Sequence, residues 1–174
     1  MNTKLILLLT IALFLIGGMG CEKDTANELP PATQVGANTF GCKINGVVYK
    51  CSGPWNPKGF LSSEGVYYQI YGDEITINAL TKNPDNNISI KFNCKEKRSG
   101  IYKEQIKLYN GRPIEGSDSK VIITRIDNYI ISGIFQMDIQ FSDGEIWYIT
   151  EGRFDIKKMN DRIFTHTYFH ADLR

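Results

Sequence analysis

Apolar and polar residues alternate with a period of two along most of this chain, and this alternation restricts the fold more than any other feature. In residues 135–141, Phe, Met, Ile and Phe occupy every second position, with Gln, Asp and Gln between them. Residues 88–94 show the same pattern. Strict alternation predicts β-strands that have one buried face and one solvated face.

Turn residues separate the alternating stretches at short intervals. Asn45-Gly46 lies between two of them, and this pair favours a type I′ hairpin turn because both positions accept positive φ. Gly152 interrupts the last long stretch and predicts a bulge or bend. Other turn sequences follow the same rule: Gly72-Asp73 and Ser142-Asp143-Gly144. We predict an all-β domain of about ten short strands, either an antiparallel β-sandwich or a flattened up-and-down β-barrel, with a lipocalin-like barrel as the alternative.

The first twenty residues have the pattern of an export signal. Lys4 precedes the uncharged stretch 5–16, and small residues lead from there to Gly20 and Cys21. The apolar stretch is too short to span a bilayer, which takes about 20 residues, and it fits the core of a signal peptide. We therefore predict a signal peptide over residues 1–20.

The predicted cleavage region resembles that of bacterial lipoproteins, in which a small residue precedes the cysteine that receives the lipid. This resemblance implies lipid attachment at Cys21 and a membrane anchor. Glu22 and Asp24 resemble the surface-export signal of Bacteroidota, so the protein is expected in the outer membrane, facing the cell surface or the periplasm. Ordinary signal cleavage after Gly20, which leaves Cys21 as a plain thiol, is the alternative.

Residues 21–38 lack periodic apolar positions and contain Pro30-Pro31. We predict that they form a flexible tether, followed by a single β-domain over residues 39–174. The full chain has 20 basic and 19 acidic side chains, and removal of residues 1–20 takes away Lys4 and no acid, which leaves the mature protein balanced. A balanced charge without a clustered positive surface argues against a nucleic-acid partner.

Short motifs at the two ends of the predicted domain are similar to those of a known family. They occupy residues 38–42 and 44–46 at the start, and residues 131–135, 143–145 and 149–156 at the end. In these motifs the chain resembles a family of small Bacteroidota lipoproteins of unknown function. The resemblance implies a membrane-anchored all-β domain and no catalytic residue. Arg153 and Asp155 lie two positions apart on one strand face, where they could pair with neighbouring strands.

Three further cysteines follow Cys21, in a compartment where disulfides persist. Cys42 and Cys51 would lie diagonally across the Asn45-Gly46 hairpin, about 7–8 Å apart and beyond the usual reach of a disulfide. A disulfide would therefore join Cys94 to Cys51 or to Cys42, and we favour the pair Cys51 and Cys94. Three buried thiols that behave as small apolar side chains are the alternative.

Catalytic and metal-binding signals are weak in this sequence. It contains no nucleophile-elbow, zinc-protease or phosphate-loop motif. The carboxylate pair Asp143 and Glu145 lies in a turn, where Asp is common for structural reasons. On a strand, His166 and His170 would be about 13 Å apart, too far for one metal ion. We predict a protein that is not an enzyme and uses no cofactor or metal.

A Pro- and Gly-rich loop near residue 55 suggests a binding function. Trp55 and Phe60 lie in this loop, and aromatic side chains on a rigid loop can stack on a sugar or anchor a protein partner. We predict Trp55 and Phe60 as contacts to a glycan or an envelope protein. In one alternative, Trp55 caps the core of a structural lipoprotein that has no ligand. In another, the domain is a lipocalin-like carrier of a small apolar ligand.

Overall fold

The computed structural model describes residues 28–57, 63–81, 87–103, 106–108 and 110–158. This part of the chain forms twelve β-strands. They are β1 Thr39–Ile44, β2 Val47–Ser52, β3 Asn56–Pro57, β4 Ser63–Tyr71, β5 Glu74–Leu80, β6 Ile88–Asn93, β7 Gly100–Tyr102, β8 Lys107–Leu108, β9 Gly111–Pro113, β10 Lys120–Ile126, β11 Ile130–Phe141 and β12 Ile146–Lys157. Within these residues, no helix is long and apolar enough to cross a membrane. The strand predicted over residues 163–169 lies outside the described residues.

The strands form one antiparallel sheet, which confirms the predicted all-β class. Their order is β2-β1-β12-β11-β9-β8-β6-β5-β4-β3, and β10 pairs with β11 and with β7. Most strands that follow each other along the chain are neighbours in this sheet, as in an up-and-down arrangement. The exceptions among the described strands are β2 and β3, β6 and β7, β7 and β8, and β9 and β10. Pairing of β1 with β12 joins the two ends of the domain, from Thr39 opposite Asp155 to Ile44 opposite Ile149.

The first hairpin forms as its turn sequence predicts. Ile44 pairs with Val47, and the two residues between them have positive φ, 50° for Asn45 and 83° for Gly46. A type I′ turn requires this at both central positions, and its twist matches the twist of the strands. The register also places Cys42 opposite Tyr49 and Cys51 opposite Phe40, so the two cysteines are diagonal as predicted.

Strand β12 contains a bulge beside Gly152. Phe135 of β11 pairs with Gly152, whereas Met137 pairs with Ile149, so β12 carries an extra residue between these two pairs. Glu151 takes the positive φ of 53° at this point. A Cβ on Gly152 would lie 2.5 Å from the Phe135 ring, so only glycine leaves room for that ring. The predicted bulge at Gly152 is confirmed.

The sheet curls so that two parts of it face each other across the core. We call β2, β1, β12 and β11 the β1–β12 wall, and β4, β5 and β6 the β4–β6 wall. β4 contacts β12 and β2, although several strands separate them along the sheet. Side chains from both walls fill the space between them in one apolar cluster, with Phe40 and Phe135 from one wall and Ile77 and Phe92 from the other.

Residues 29–38 lie against the outer face of the β1–β12 wall. A Cβ on Gly41 of β1 would lie 2.5 Å from Pro30 Cδ, which shows how closely this segment approaches the sheet. At its end, the Asn38 side chain accepts a hydrogen bond from the Lys157 backbone, at 3.0 Å. The prediction of a flexible tether through residue 38 is therefore wrong for residues 29–38, because hydrogen bonds and close packing fix them on the domain.

Candidate functional site

Trp55 follows β2, where the chain crosses from one wall to the other. Gly53 and Pro54 lead the chain to β4: the Val66 backbone donates to the Gly53 carbonyl at 3.0 Å, and Pro54 forms a parallel bridge with Val66. Gly65 makes this approach feasible, because a Cβ there would lie 2.8 Å from the Trp55 Cα. The φ of Gly65 is 114°, a value that residues with a Cβ rarely adopt. The backbone therefore places Trp55 directly over β4.

The Trp55 ring packs on Tyr67, a residue on the outer face of β4. The ring centroids are 5.3 Å apart with an interplanar angle of 46°. Trp55 is half-buried, and its indole nitrogen is shielded from solvent. The structure thus brings Trp55 together with Tyr67 at the surface of the β4–β6 wall. Phe60, the second predicted contact residue, lies outside the described residues.

A row of polar side chains continues from Tyr67 across the outer face of the β4–β6 wall. Tyr67 pairs with Asn78 of β5, and Asn78 pairs with Ser89 of β6. The Ser89 hydroxyl donates to the Asn78 side-chain oxygen at 2.9 Å. Asn78 is only 7% exposed, and its Nδ2 has no hydrogen-bond partner. Sequence reasoning did not find Asn78, because an isolated Asn at an outward strand position gives no local signal.

Asp155 of β12 fixes the N-terminal segment on the opposite wall. This carboxylate is 1% exposed and accepts hydrogen bonds from the hydroxyls of Thr33, at 2.5 Å, and Ser132, at 2.7 Å. Backbone N–H groups of the segment also donate to it, at 2.9–3.1 Å: those of Val35, Gly36 and Ala37. Five donors satisfy a buried charge that would otherwise be strongly unfavourable.

These contacts set the protonation state of Asp155. Burial raises the pKa of the carboxyl, but the hydrogen bonds from Thr33, Ser132, Ala37 and Gly36 outweigh burial and lower the pKa to about 2. Asp155 is therefore ionised at neutral pH. Arg153 supports the same segment, because its guanidinium donates to the Pro30 carbonyl at 3.3 Å. The predicted pairing of Arg153 and Asp155 with neighbouring strands is corrected in part, since both contact residues 29–38, and Asp155 reaches a neighbouring strand only through Ser132.

A groove of about 260 Å³ lies beside this segment on the outer face of the β1–β12 wall. Ile122 and Ile134 give it an apolar floor, Ala32 of the N-terminal segment forms part of its side, and Lys120 and Arg153 line it as well. Docking of residues 29–38 thus creates one boundary of the groove. This volume is slightly below the 300–1,000 Å³ typical of small-molecule sites.

The predicted disulfide between Cys51 and Cys94 is wrong, since both are free thiols in the structure. The Cys51 sulfur donates to the carbonyl of Leu80, at one end of β5. The Cys94 backbone donates to the carbonyl of Asp73, at the other end of β5. Seven strand residues therefore separate the two cysteines, a distance of about 20 Å.

The free thiols are poorly suited to chemistry. Burial raises the pKa of Cys42 to about 12, and burial also raises the pKa of Cys51. Because the thiolate is the reactive form, neither group is activated at neutral pH. Cys42 and Cys94 are buried and belong to the apolar core, which matches the alternative that treated the cysteines as small apolar side chains.

The remaining predicted site residues fall outside the described part of the chain. These are Cys21, the predicted lipid-attachment residue, and the histidines His166 and His170. Among the described residues, no group of three or more His, Cys, Asp or Glu side chains is placed to hold a metal ion.

Comparison with known proteins does not identify a relative: no family model, curated protein or solved structure matches this chain.

Proposed function

We propose that this protein is a lipid-anchored, non-catalytic binding module of the cell envelope, held in the outer membrane through Cys21. The signal peptide and the small residues before Cys21 support the anchor. A rigid antiparallel domain begins close behind that cysteine, since residues 29–38 are already docked on the sheet. Such a domain can present a fixed surface to a ligand without any catalytic group.

The observation that carries the binding proposal is the pairing of Trp55 with Tyr67 on the outer face of the β4–β6 wall. Paired aromatic rings offer a large apolar surface at a low cost in conformational entropy. The half-buried hydroxyl of Ser89 continues the same face with an uncharged polar group, and the buried Asn78 side chain accepts a hydrogen bond from it. An apolar ring next to neutral hydrogen-bonding groups suits a sugar, so we favour a glycan over a protein as the ligand.

The second candidate is a structural envelope lipoprotein without a ligand. The shielded indole nitrogen of Trp55 favours it, since a side chain that folds back onto Tyr67 also caps the edge of the sheet. A lipocalin-like carrier lacks such support, because the space between the walls is occupied by side chains of the core, such as Phe40 and Ile77.

Glycan-array binding of the wild type and the Trp55→Ala variant separates the two candidates. Loss of a central aromatic contact weakens binding by about 2 kcal/mol or more, which corresponds to about 30-fold in Kd. Tyr71→Ala is the matched control, because Tyr71 is an exposed aromatic residue at the end of β4. Binding that survives Trp55→Ala contradicts this site. A wild-type protein that binds no glycan but captures an envelope protein through Trp55 would favour a protein ligand.

A further inference from the structure

The point at which the chain leaves the domain restricts how a lipid anchor can orient it. Leu29 and Pro30 lie against Gly41, on the outer face of the β1–β12 wall. Only residues 22–28 separate Leu29 from Cys21, and seven residues span at most about 25 Å. A domain of this size is about 35 Å across. The linker is therefore too short to pass around the domain and bring the opposite wall to the membrane.

The outer face of the β1–β12 wall carries exposed apolar side chains. Tyr148 of β12 is 53% exposed, Ile134 of β11 is 41% exposed, and Val35 of the docked segment is 71% exposed. Tyrosine is enriched at membrane–water interfaces, where its ring meets the headgroup region and its hydroxyl meets water. Ile134 also forms the floor of the groove beside residues 29–38.

Charged side chains of both signs lie on this face. The outward positions of β1, β2 and β12 carry three lysines, Lys43, Lys50 and Lys157. Carboxylates lie on the same face of the wall: Glu151, with which Lys43 pairs at 2.5 Å, and Asp138 of β11, which is half-buried opposite Tyr148. Lysines that lie close to a membrane surface are attracted to anionic headgroups, so this face can contact such lipids without a net positive charge.

We propose that the outer face of the β1–β12 wall is the membrane-facing surface of the lipidated protein, and that its partner is the lipid headgroup region. This inference rests on the lipid anchor of the proposed function. It has one consequence for that function: the wall that carries Trp55, Tyr67 and Asn78 faces away from the membrane. The anchor and the ligand surface thus lie on opposite sides of one rigid domain.

Hydroxyl-radical footprinting with mass spectrometry tests this orientation. The lipidated protein is reconstituted in vesicles of phosphatidylethanolamine and phosphatidylglycerol, and the Cys21→Ser protein is mixed with the same vesicles as the control. The chain offers matched pairs of probes on the two walls. Ile134 and Ile70 are both 41% exposed, and the tyrosines Tyr148 and Tyr71 are 53% and 88% exposed.

The proposal predicts a severalfold fall in the oxidation of Ile134 and Tyr148 in the lipidated protein, with Ile70 and Tyr71 unchanged. If the oxidation of all four residues is the same in the lipidated protein as in the Cys21→Ser control, the orientation is overturned while the lipid anchor stands. Protection of Ile70 and Tyr71 instead of Ile134 and Tyr148 overturns it as well. The same digest reports the mass of the N-terminal peptide. A Cys21 without lipid in that peptide overturns the anchor itself, and the orientation with it.

Discussion

The hydroxyl of Thr33 donates a 2.5 Å hydrogen bond to the carboxylate of Asp155, which lies 122 residues further along the chain. This contact joins the segment behind the predicted anchor to the last described strand of the domain. Asp155 is buried and also binds Ser132 of β11, so one carboxylate connects the N-terminal segment to two strands. In the proposed orientation, this connection sets how the domain lies relative to the membrane.

Replacement of Asp155 by Asn should destabilise the domain by about 2–3 kcal/mol, because the amide removes the charge that five donors share. The amide also turns an N–H₂ group toward some of those donors. Asp143→Asn is the control, since Asp143 lies in an exposed turn and accepts from the Glu145 backbone, which the Asn oxygen can also do. Urea unfolding of the two variants measures the difference, and equal stabilities would show that the carboxylate is not needed.

The pKa of Asp155 predicts a specific dependence of stability on pH. The folded-state pKa of about 2 lies below the unfolded value, so the ionised group stabilises the fold above about pH 4. This contribution, about 2.5 kcal/mol, is lost as the pH falls from about 4 toward 2. Unfolding free energies of the wild type and Asp155→Asn should therefore converge over this range. Parallel pH curves for the two proteins would contradict the assignment.

Gly152→Ala should destabilise the domain by about 1–3 kcal/mol, because the new methyl group overlaps the Phe135 ring in a packed core. That ring also packs against Phe40, with centroids 5.3 Å apart, and so has little room to move. Gly100→Ala serves as the control, since the nearest atom to its Cβ would be 3.6 Å away. Thermal unfolding of both variants checks this prediction, and similar melting temperatures would refute it.

Asn78→Leu should raise the free energy of unfolding by about 1 kcal/mol, because it removes a buried amide nitrogen that has no hydrogen-bond partner. Ser89→Ala is the companion variant, since Ser89 donates to the Asn78 oxygen and loses that partner in Asn78→Leu. Chemical denaturation of the two single variants and the double variant isolates the effect of the amide. A clear loss of stability in the double variant would mean that Asn78 is satisfied in solution.

The local parts of the fold could be predicted from the sequence, because period-two alternation and turn chemistry act over a few residues. The hairpin at Asn45-Gly46 and the bulge at Gly152 formed where these rules place them. Contacts between distant residues carry no such signal. Residues 29–38 were therefore predicted to be a flexible tether. Only the three-dimensional structure shows the hydrogen bonds that hold them on Asp155.

In the candidate site, too, local features could be predicted from the sequence and contacts between distant residues could not. Trp55 was predicted as a surface aromatic residue because it lies in a Pro- and Gly-rich loop. The pairing of Tyr67 with Asn78 follows from the two-residue turn Gly72-Asp73. The contact of Trp55 with Tyr67 instead depends on the path by which Gly53 and Pro54 reach β4, and the sequence carries no local signal for that path. The predicted disulfide between Cys51 and Cys94 was wrong for a related reason. The curl of the sheet places these cysteines at opposite ends of β5.

The most direct test of an envelope-anchored binding module is the mass of the mature N-terminal peptide, from protein isolated with the membranes of its native host. We predict that the mature chain begins at Cys21 and that this residue carries a lipid. A peptide that begins at Cys21 with an unmodified thiol, or a chain that retains residues 1–20, would contradict it.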